Sequence, residues 1–224
     1  MAGARSESNR RPRIAVDAVV LSFSGQGFET YLVQPRGRNV NGKWACPGGL
    51  LKVSETLDDA VRRELDAAGL GEDAYLEQLF TFGNPSRDPR AHVVSVAYLA
   101  LLATARQLSP QAEKYTQGRW FEVSALPELA YDHSMMVSLG LARVQAKLGY
   151  TNIACNLLPR SFSFSELETL YSCSLGRRLD RRNFRRRIIA MGILRRIAAL
   201  RRGNHRPAQL YRFLKRTPQT VQIL

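Results

Sequence analysis

The stretch "PGGLLKVSETLDDAVRRELDAAGL", residues 47–70, carries the residue types best suited to chemistry in this chain. Gly48 and Gly49 leave backbone open to a ligand. Glu55, Arg63 and Glu64 then bring two carboxylates and a guanidinium at fixed spacing, the layout of a site that handles a diphosphate. Helical residues at i, i+3 and i+4 share a face, so Glu64 looks towards positions 67 and 68. A Mg²⁺ ion bridging a diphosphate needs several oxygen ligands. Here those positions are Ala67 and Ala68, and Asp66 points elsewhere. The pattern therefore predicts a phosphate-binding frame with no metal site and no catalytic residue. Binding still needs only shape, stacking and fixed hydrogen-bond donors. Arg36, Trp44, the Gly48-Gly49 backbone, Glu55, Glu64, Arg87 and Arg90 are the candidates. Trp44 serves equally well as core. Arg87 and Arg90, in "RDPR", serve equally well as an exposed loop or a dimer contact, and Arg36 as a solvated strand end.

The elements that must position these residues follow from periodicity. "IAVDAVVLSF" (14–23) and "FETYLVQPR" (28–36) read as strands joined by a "GQG" turn. "GRNVNGKWACPGG" reads as a loop. From Ser54, the spacing of Leu57, Ala60, Val61, Leu65 and Ala68 is helical, with Gly69 as its stop. "AYLEQLFTFG" and "HVVSVAYLALLA" read as strands flanking the loop "NPSRDPRA", and "GRWFEVSALPEL" as a last strand with a polar turn. A helix over 132–148, capped by Asp132, links this half to the rest. The polar, basic residues 1–13 read as a flexible arm. Residues 14–149 read as one domain, which holds the phosphate-binding frame, and 150–224 as a second.

Charge separates the halves. The chain of 224 residues carries +14. Residues 150–224 hold sixteen Arg and Lys against Glu166, Glu168 and Asp180, a balance of +13, so the preceding residues are almost neutral. Arginine supplies nearly all of it, and its planar fork suits phosphate. This asymmetry points to a polyanion, nucleic acid before anionic membrane. Ser163 and Glu166 fit a capping box opening a helix over 164–173. After the turn "SLG", "DRRNFRRRIIAMG" reads as a second helix, with Asp180 as cap and Phe184, Ile188 and Met191 facing inward. "ILRRIAAL" and "AQLYRFL" read as a hairpin with basic residues at its tip. Helix, turn, helix and basic-tipped hairpin is the order of a winged helix-turn-helix. Its outer face predicts a DNA contact through Arg178, Arg181, Arg182, Asn183, Arg185 and Arg186. Arg201, Arg202 and Arg206 lie on the wing. Arg10, Arg11 and Arg13 of the arm suit a minor groove or a solvated tail.

No long apolar run suggests a transmembrane helix, and the first residues lack the apolar core of a secretory signal. Cys46, Cys155 and Cys173 show no metal-ligand spacing, which suits reduced thiols in a cytosolic protein.

The chemistry-bearing stretch resembles the Nudix box, GX5EX7REUXEEXGU with U aliphatic, at Gly49, Glu55, Arg63, Glu64 and Leu65. The match ends there: the tail is one residue short, and alanine fills both metal-ligand positions. "LGRRLDRRNFRRRIIAMGIL", "RPAQLYRF" and "NPSRDPRAHVVSVAYLAL" resemble the NrtR family, Nudix-related transcriptional regulators of NAD metabolism. The resemblance implies an α/β fold: an N-terminal Nudix-like αβα sandwich followed by a C-terminal winged helix-turn-helix. It also implies a cytoplasmic bacterial homodimer that represses genes of NAD synthesis or salvage. Its partners would be a palindromic double-stranded DNA operator and ADP-ribose or a related NAD metabolite as effector, with no cofactor required. An alternative is an ADP-ribose pyrophosphatase using Glu55, Glu64 and a further acid not identified from the motif, with a nucleic-acid-binding tail. An RNA-associated binder is less favoured, because the basic third lacks the interleaved aromatics that stack on bases.

Overall fold

The computed structural model describes residues 11–36, 40, 42–71, 74–103, 110–201, 207–221 and 223. Strand β1 (Arg13–Phe23) is the spine. It pairs in parallel with β5 (Val93–Leu102) over ten residues, and antiparallel with β2 (Phe28–Pro35) and the short β3 (Gly48–Leu50). β4 (Tyr75–Phe82) and β6 (Tyr115–Glu122) complete a mixed sheet of order β4-β5-β1-β2-β6, with β3 beside β1. β1 is apolar almost throughout because both faces of the sheet are covered. Val16, Ala18 and Val20 face one helix, α1 (Leu57–Ala67), packing with Ala60, Val61 and Leu65. Val19, Leu21 and Phe23 face the other, α2 (His133–Tyr150), packing with Met136, Val137 and Val144. Gly140 permits this approach: a Cβ there would stand 2.7 Å from Val19 Cγ1.

Helix α1 starts at Leu57, the first of its spaced apolar residues, rather than at Ser54. Ser54 takes a positive φ of 65°, and a capping box between Thr56 and Asp59 opens the helix at Leu57. The loop expected before Gly49 ends in β3, and Arg13, expected in the arm, opens β1. The last strand also sits earlier than expected, β6 ending at Glu122 in a short turn at Val123–Ala125.

The basic third is a three-stranded sheet, β7 (Phe162–Ser163), β9 (Ala208–Phe213) and β8 (Leu194–Arg201), under α3 (Phe164–Leu175) and α4 (Arg181–Ala190). The Ser163–Glu166 capping box forms as its spacing predicted. α3 ends at Gly176, whose φ of 62° is the left-handed cap that glycine favours. The apolar cluster on the α2 face continues without a break through Ile153, Leu157, Phe162 and Leu170 to Phe184, Ile188 and Phe213. The chain then returns to the end of α2. Val221 N–H donates to Tyr150 O at 2.8 Å and Ile223 N–H to Gly149 O at 2.9 Å. Asn152 Nδ2 donates to the carbonyls of Lys215 and Thr217, while its Oδ1 accepts from Gln219. The tail after β9 is thus fastened to the C-terminus of α2. Among the described residues, no helix is long and apolar enough to cross a membrane.

Candidate ligand pocket and nucleic-acid interface

A cavity of about 410 Å³ opens where β1, β3, α1, the start of β6 and the N-terminus of α2 meet. The double glycine shapes its floor. Pairing of β3 with β1 presses Gly48 against Asp17, and Gly49 against Glu64; a Cβ at either would overlap the facing carboxylate. Glu64 is fully buried on the inner face of α1. It receives the Lys114 ammonium and the Arg63 guanidinium in close ion pairs, and lies 3.2 Å from the Tyr115 hydroxyl. Burial and the nearby Glu64 push the Tyr115 phenol far above its ordinary range, so it stays protonated as a donor.

Arg63 does most of its work outside the cavity. It holds Glu55 through two hydrogen bonds of 2.6 and 2.8 Å and reaches Leu50 O at 3.2 Å. That bond, with the Lys52 backbone amide, lowers the Glu55 carboxyl to about 2. Glu55 therefore braces the loop before α1, and is not among the cavity-lining residues.

The donor set does not fit a divalent cation. Ala68 is buried, and its carbonyl accepts from Tyr31 at 3.2 Å; the Ala67 carbonyl accepts from Gln111 and Ala112. Both positions are packing and backbone sites. Among the described residues, no three His, Cys, Asp or Glu converge as a metal group. Of the carboxylates that line the cavity, Glu64 is committed to Lys114, Arg63 and Tyr115, Asp17 to Ser95, and Asp88 to Arg90.

A second polar cluster closes the inner end. Asp17 accepts from Ser95 Oγ at 2.5 Å and stands 3.7 Å from both Arg87 Nη2 and His133 Nε2. His133 Nδ1 accepts from Cys46 N–H at 3.0 Å, and burial holds its pKa down, so the ring is neutral. Burial, then Asp17, raises the Cys46 thiol well above its usual range, which makes it an inert packing group. Arg87 is buried, not an exposed loop arginine. It forks onto Asp132 with bonds of 2.9 and 2.6 Å. Asp132 does occupy the N-cap position of α2, but its carboxylate makes no cap hydrogen bond. Serving Arg87 is its use. Arg90 pairs with Asp88 at 2.6 Å and lies over the Tyr131 ring, 5.4 Å from its centroid, at the rim.

Six of the eight candidate residues line the cavity: Arg36, Gly48, Gly49, Glu64, Arg87 and Arg90. Trp44 and Glu55 do not. Trp44 packs edge-on against Phe121 at 4.7 Å, beside the α2-face core. Sequence reasoning missed Asp17, Lys114, Tyr115, Tyr131 and His133. A single aspartate inside the apolar run "IAVDAVVLSF" was the one local signal available.

Helix α4 carries the basic surface. Asp180 caps it through the amides of Arg182 and Asn183 at 3.0 and 3.1 Å. Phe184 and Ile188 point inward as expected, which puts Arg182 and Arg186, four residues apart, at the centre of the outward face. Both, like Arg178 and Arg187, have no acidic partner within ion-pair distance among the described residues. Arg186 donates to Asn183 Oδ1 at 3.0 Å. Two expected contacts have structural partners. Arg181 pairs with Glu168 at 2.5 Å. Arg185 donates to the Tyr211 hydroxyl at 2.9 Å and lies over the Phe164 ring, tying α4 to α3 and β9.

On the hairpin, Arg195 faces Arg212 directly across β8 and β9, both exposed. Like charges placed so are destabilising in isolation; the sequence reading had weighed only the hairpin tip. Arg201 ends β8 opposite Ala208, while Arg10, Arg202 and Arg206 lie outside the described residues. Arg11 and Arg13 are exposed, but Arg13 is at the cavity end of β1. The winged helix meets the other end, where Cys173 Sγ contacts Gln26 O at 3.4 Å. Eleven residues of strand put roughly 30 Å between them, so Arg13 does not extend the α4 surface within one chain.

Comparison with known proteins agrees with this division. Residues 11–138 match the model of the NUDIX domain, and residues 154–213 that of the NrtR DNA-binding winged helix domain. The chain is 32% identical over 206 residues to the ADPR responsive transcriptional repressor NtrR of Acinetobacter baylyi, covering 90% of this chain and 82% of that one. The crystal structure of Shewanella oneidensis NrtR complexed with a 27mer DNA superposes with a TM-score of 0.77 at 30% identity, over 89% of this chain and 93% of that one. The NUDIX domain of the same protein, complexed with ADP ribose, superposes with a TM-score of 0.56 at 30% identity, over 60% and 90%. With a Nudix sandwich whose metal positions are alanine, and a winged helix bearing an arginine face, the chain belongs to the NrtR family of Nudix-related transcriptional regulators.

Proposed function

We propose that this chain is an ADP-ribose-responsive transcriptional repressor of NAD synthesis or salvage genes. Its Nudix domain binds the nucleotide without cleaving it. The observation that carries this reading is the state of Glu64. The one carboxylate left from the metal-binding face is neutralised by Lys114 and Arg63, inside a cavity whose lining includes four arginines and a lysine against Glu64, Asp17 and Asp88. Such a pocket attracts a nucleotide diphosphate and offers little to a divalent ion. Arg90 over Tyr131 forms a flat cationic lip at the rim, suited to a base or a ribose. Arg36, Arg87 and the Gly48-Gly49 backbone remain the other ligand candidates.

The DNA face is centred on Arg182, Arg186 and Asn183, where arginine forks to guanine and asparagine to adenine. Arg178, Arg195 and Arg212 suit phosphates, and a polyanion there would relieve the Arg195–Arg212 repulsion. The protein acts as a cytoplasmic homodimer on a palindromic operator, two α4 helices reading half-sites one turn apart.

The test is fluorescence anisotropy of duplex DNA from upstream of NAD-synthesis genes, at fixed salt, with and without ADP-ribose, beside a scrambled duplex. Specific binding altered by ADP-ribose is expected. Equal binding to both duplexes would overturn the repressor reading. ADP-ribose incubated with protein and Mg²⁺ or Mn²⁺ should stay intact by chromatography; turnover that disappears in Glu64→Gln would establish an enzyme instead.

A further inference from the structure

Lys114 was not foreseen as a site residue, yet it occupies the most telling place in the cavity. Its ammonium pairs with buried Glu64 and donates to Gly48 O at 3.3 Å. An ammonium has three donors. Two are used on these partners, and the side chain, 40% exposed, lines the cavity. Its Nζ also lies over the Tyr115 ring, 4.8 Å from the centroid. Its carbonyl accepts from Arg36 N–H at 2.7 Å, so the backbones of the two cationic residues are locked side by side at the mouth. A lysine ammonium is a compact, strongly hydrated point charge, unlike the broad fork of arginine. In size and charge concentration it is the side chain nearest to a metal ion.

We propose that Lys114 is a built-in cation that holds the diphosphate of the ligand, so that binding needs no divalent metal. Resting on the sensor reading above, this names the group that grips the signal. The ammonium does two things a metal would do between a carboxylate and a diphosphate. It cancels the charge of Glu64, which would otherwise repel the incoming anion, and it presents a positive donor to the phosphate oxygens. Unlike a metal, it brings no coordinated water to be activated as a nucleophile. The pocket is therefore occupied according to nucleotide concentration alone, whatever the supply of Mg²⁺.

The experiment is isothermal titration of the full-length protein with ADP-ribose, once in EDTA and once in Mg²⁺. Wild type should bind with affinities within about twofold of each other in the two buffers. Lys114→Met keeps an unbranched side chain of similar length and loses the charge. It should bind at least about tenfold more weakly, the fold-change of one charge-assisted phosphate contact. Lys114→Arg should bind more tightly than Lys114→Met. Adding Glu64→Gln to Lys114→Met should recover part of the loss, because the exposed carboxylate is gone. Circular dichroism confirms the fold of each variant. Loss of wild-type binding in EDTA, or a Lys114→Met variant equal to wild type, overturns the proposal. Inorganic pyrophosphate, titrated in EDTA, separates the two readings. If wild type ignores ADP-ribose, the sensor reading fails. The Lys114 inference then stands if pyrophosphate binds wild type and not Lys114→Met, and falls if it binds both or neither.

Discussion

Replacing Asp132 with alanine tests whether the cavity anchors the helix that joins the domains. The Arg87 side chain is 4% exposed and that of Asp132 15%, and two hydrogen bonds connect them. Asp132→Ala leaves a buried guanidinium whose next counter-charge is Asp17, 3.7 Å away. Removing one partner of a buried pair costs about 3–5 kcal/mol, much of it the desolvated charge left behind. Asp17 offsets part of this, which puts the loss near the low end, about 3 kcal/mol. For a chain of this length each kcal/mol lowers the melting midpoint by about 2–4 °C, so a fall of about 6–12 °C is expected. One apolar cluster runs from the sheet through α2 into the winged helix, so the loss should appear in the main transition of the whole chain. The assay is thermal denaturation by circular dichroism at low and high salt. Because the pair is buried, the fall should persist at high salt. Glu168→Gln is the control: its partner Arg181 is 80% exposed, and such a pair is worth about 0–1 kcal/mol. An Asp132→Ala midpoint within about 2 °C of wild type would refute the reasoning.

Three other perturbations have defined outcomes. Gly48→Ala places a Cβ 2.7 Å from Val16 O, in the backbone of the central strand, and should lose about 1–3 kcal/mol of stability in urea titrations; an unchanged midpoint would contradict the close approach. His133 has a folded pKa below its unfolded value of 6.5, because burial disfavours the charge. The unfolded state therefore takes the proton first, and the stabilisation, full above 6.5, is lost as pH falls from there through the folded value. The slope reaches about 1.4 kcal/mol per pH unit, and urea midpoints from pH 7.5 to 5.5 should show it in wild type and not in His133→Asn. Arg182→Ala with Arg186→Ala should weaken operator binding by about 2–6 kcal/mol, as two lost base contacts require, and leave ADP-ribose affinity unchanged in calorimetry; unaltered operator affinity would remove α4 as the reading helix.

What the sequence disclosed follows from the range of the interactions involved. β1 and α1 were legible because covering both sheet faces, or one helix face, writes itself into local spacing. The cap at Asp180 and the box at Ser163 and Glu166 are contacts within three residues, and both form. β3 was not legible: three residues hold their place only by pairing with β1. The start of α1 was placed at Ser54 because serine and threonine both suit a cap; the contact that decides it is Thr56 Oγ1 accepting from the Asp59 amide. The site divides the same way. Gly48, Gly49 and Glu64 lie on one contiguous stretch and were found. Asp17, Lys114 and His133 arrive from β1, the start of β6 and α2, brought together by the fold alone. Arg87 was found without its purpose, since Asp132 lies 45 residues away.

These tertiary contacts also set what links the two binding surfaces. Coupling requires an element whose arrangement both ligands bias. α2 touches the cavity at one end, through His133 and the Arg87–Asp132 pair. At the other end its last carbonyls hold the tail that follows β9, and β9 holds α4 through Tyr211 and Arg185. Along its length, Lys147 and Arg143 bind Glu77 of β4, fixing the helix against the sheet. A rigid helix pinned at both ends carries a displacement from one to the other with little loss. On the proposed reading, an anion that drew Arg87 away from Asp132 would act on the first of those pins, and the fastened tail would carry the shift towards α4. On the proposed reading, the Nudix frame serves to bring a diphosphate to that pin, where the metal-binding acids would only help to destroy the signal.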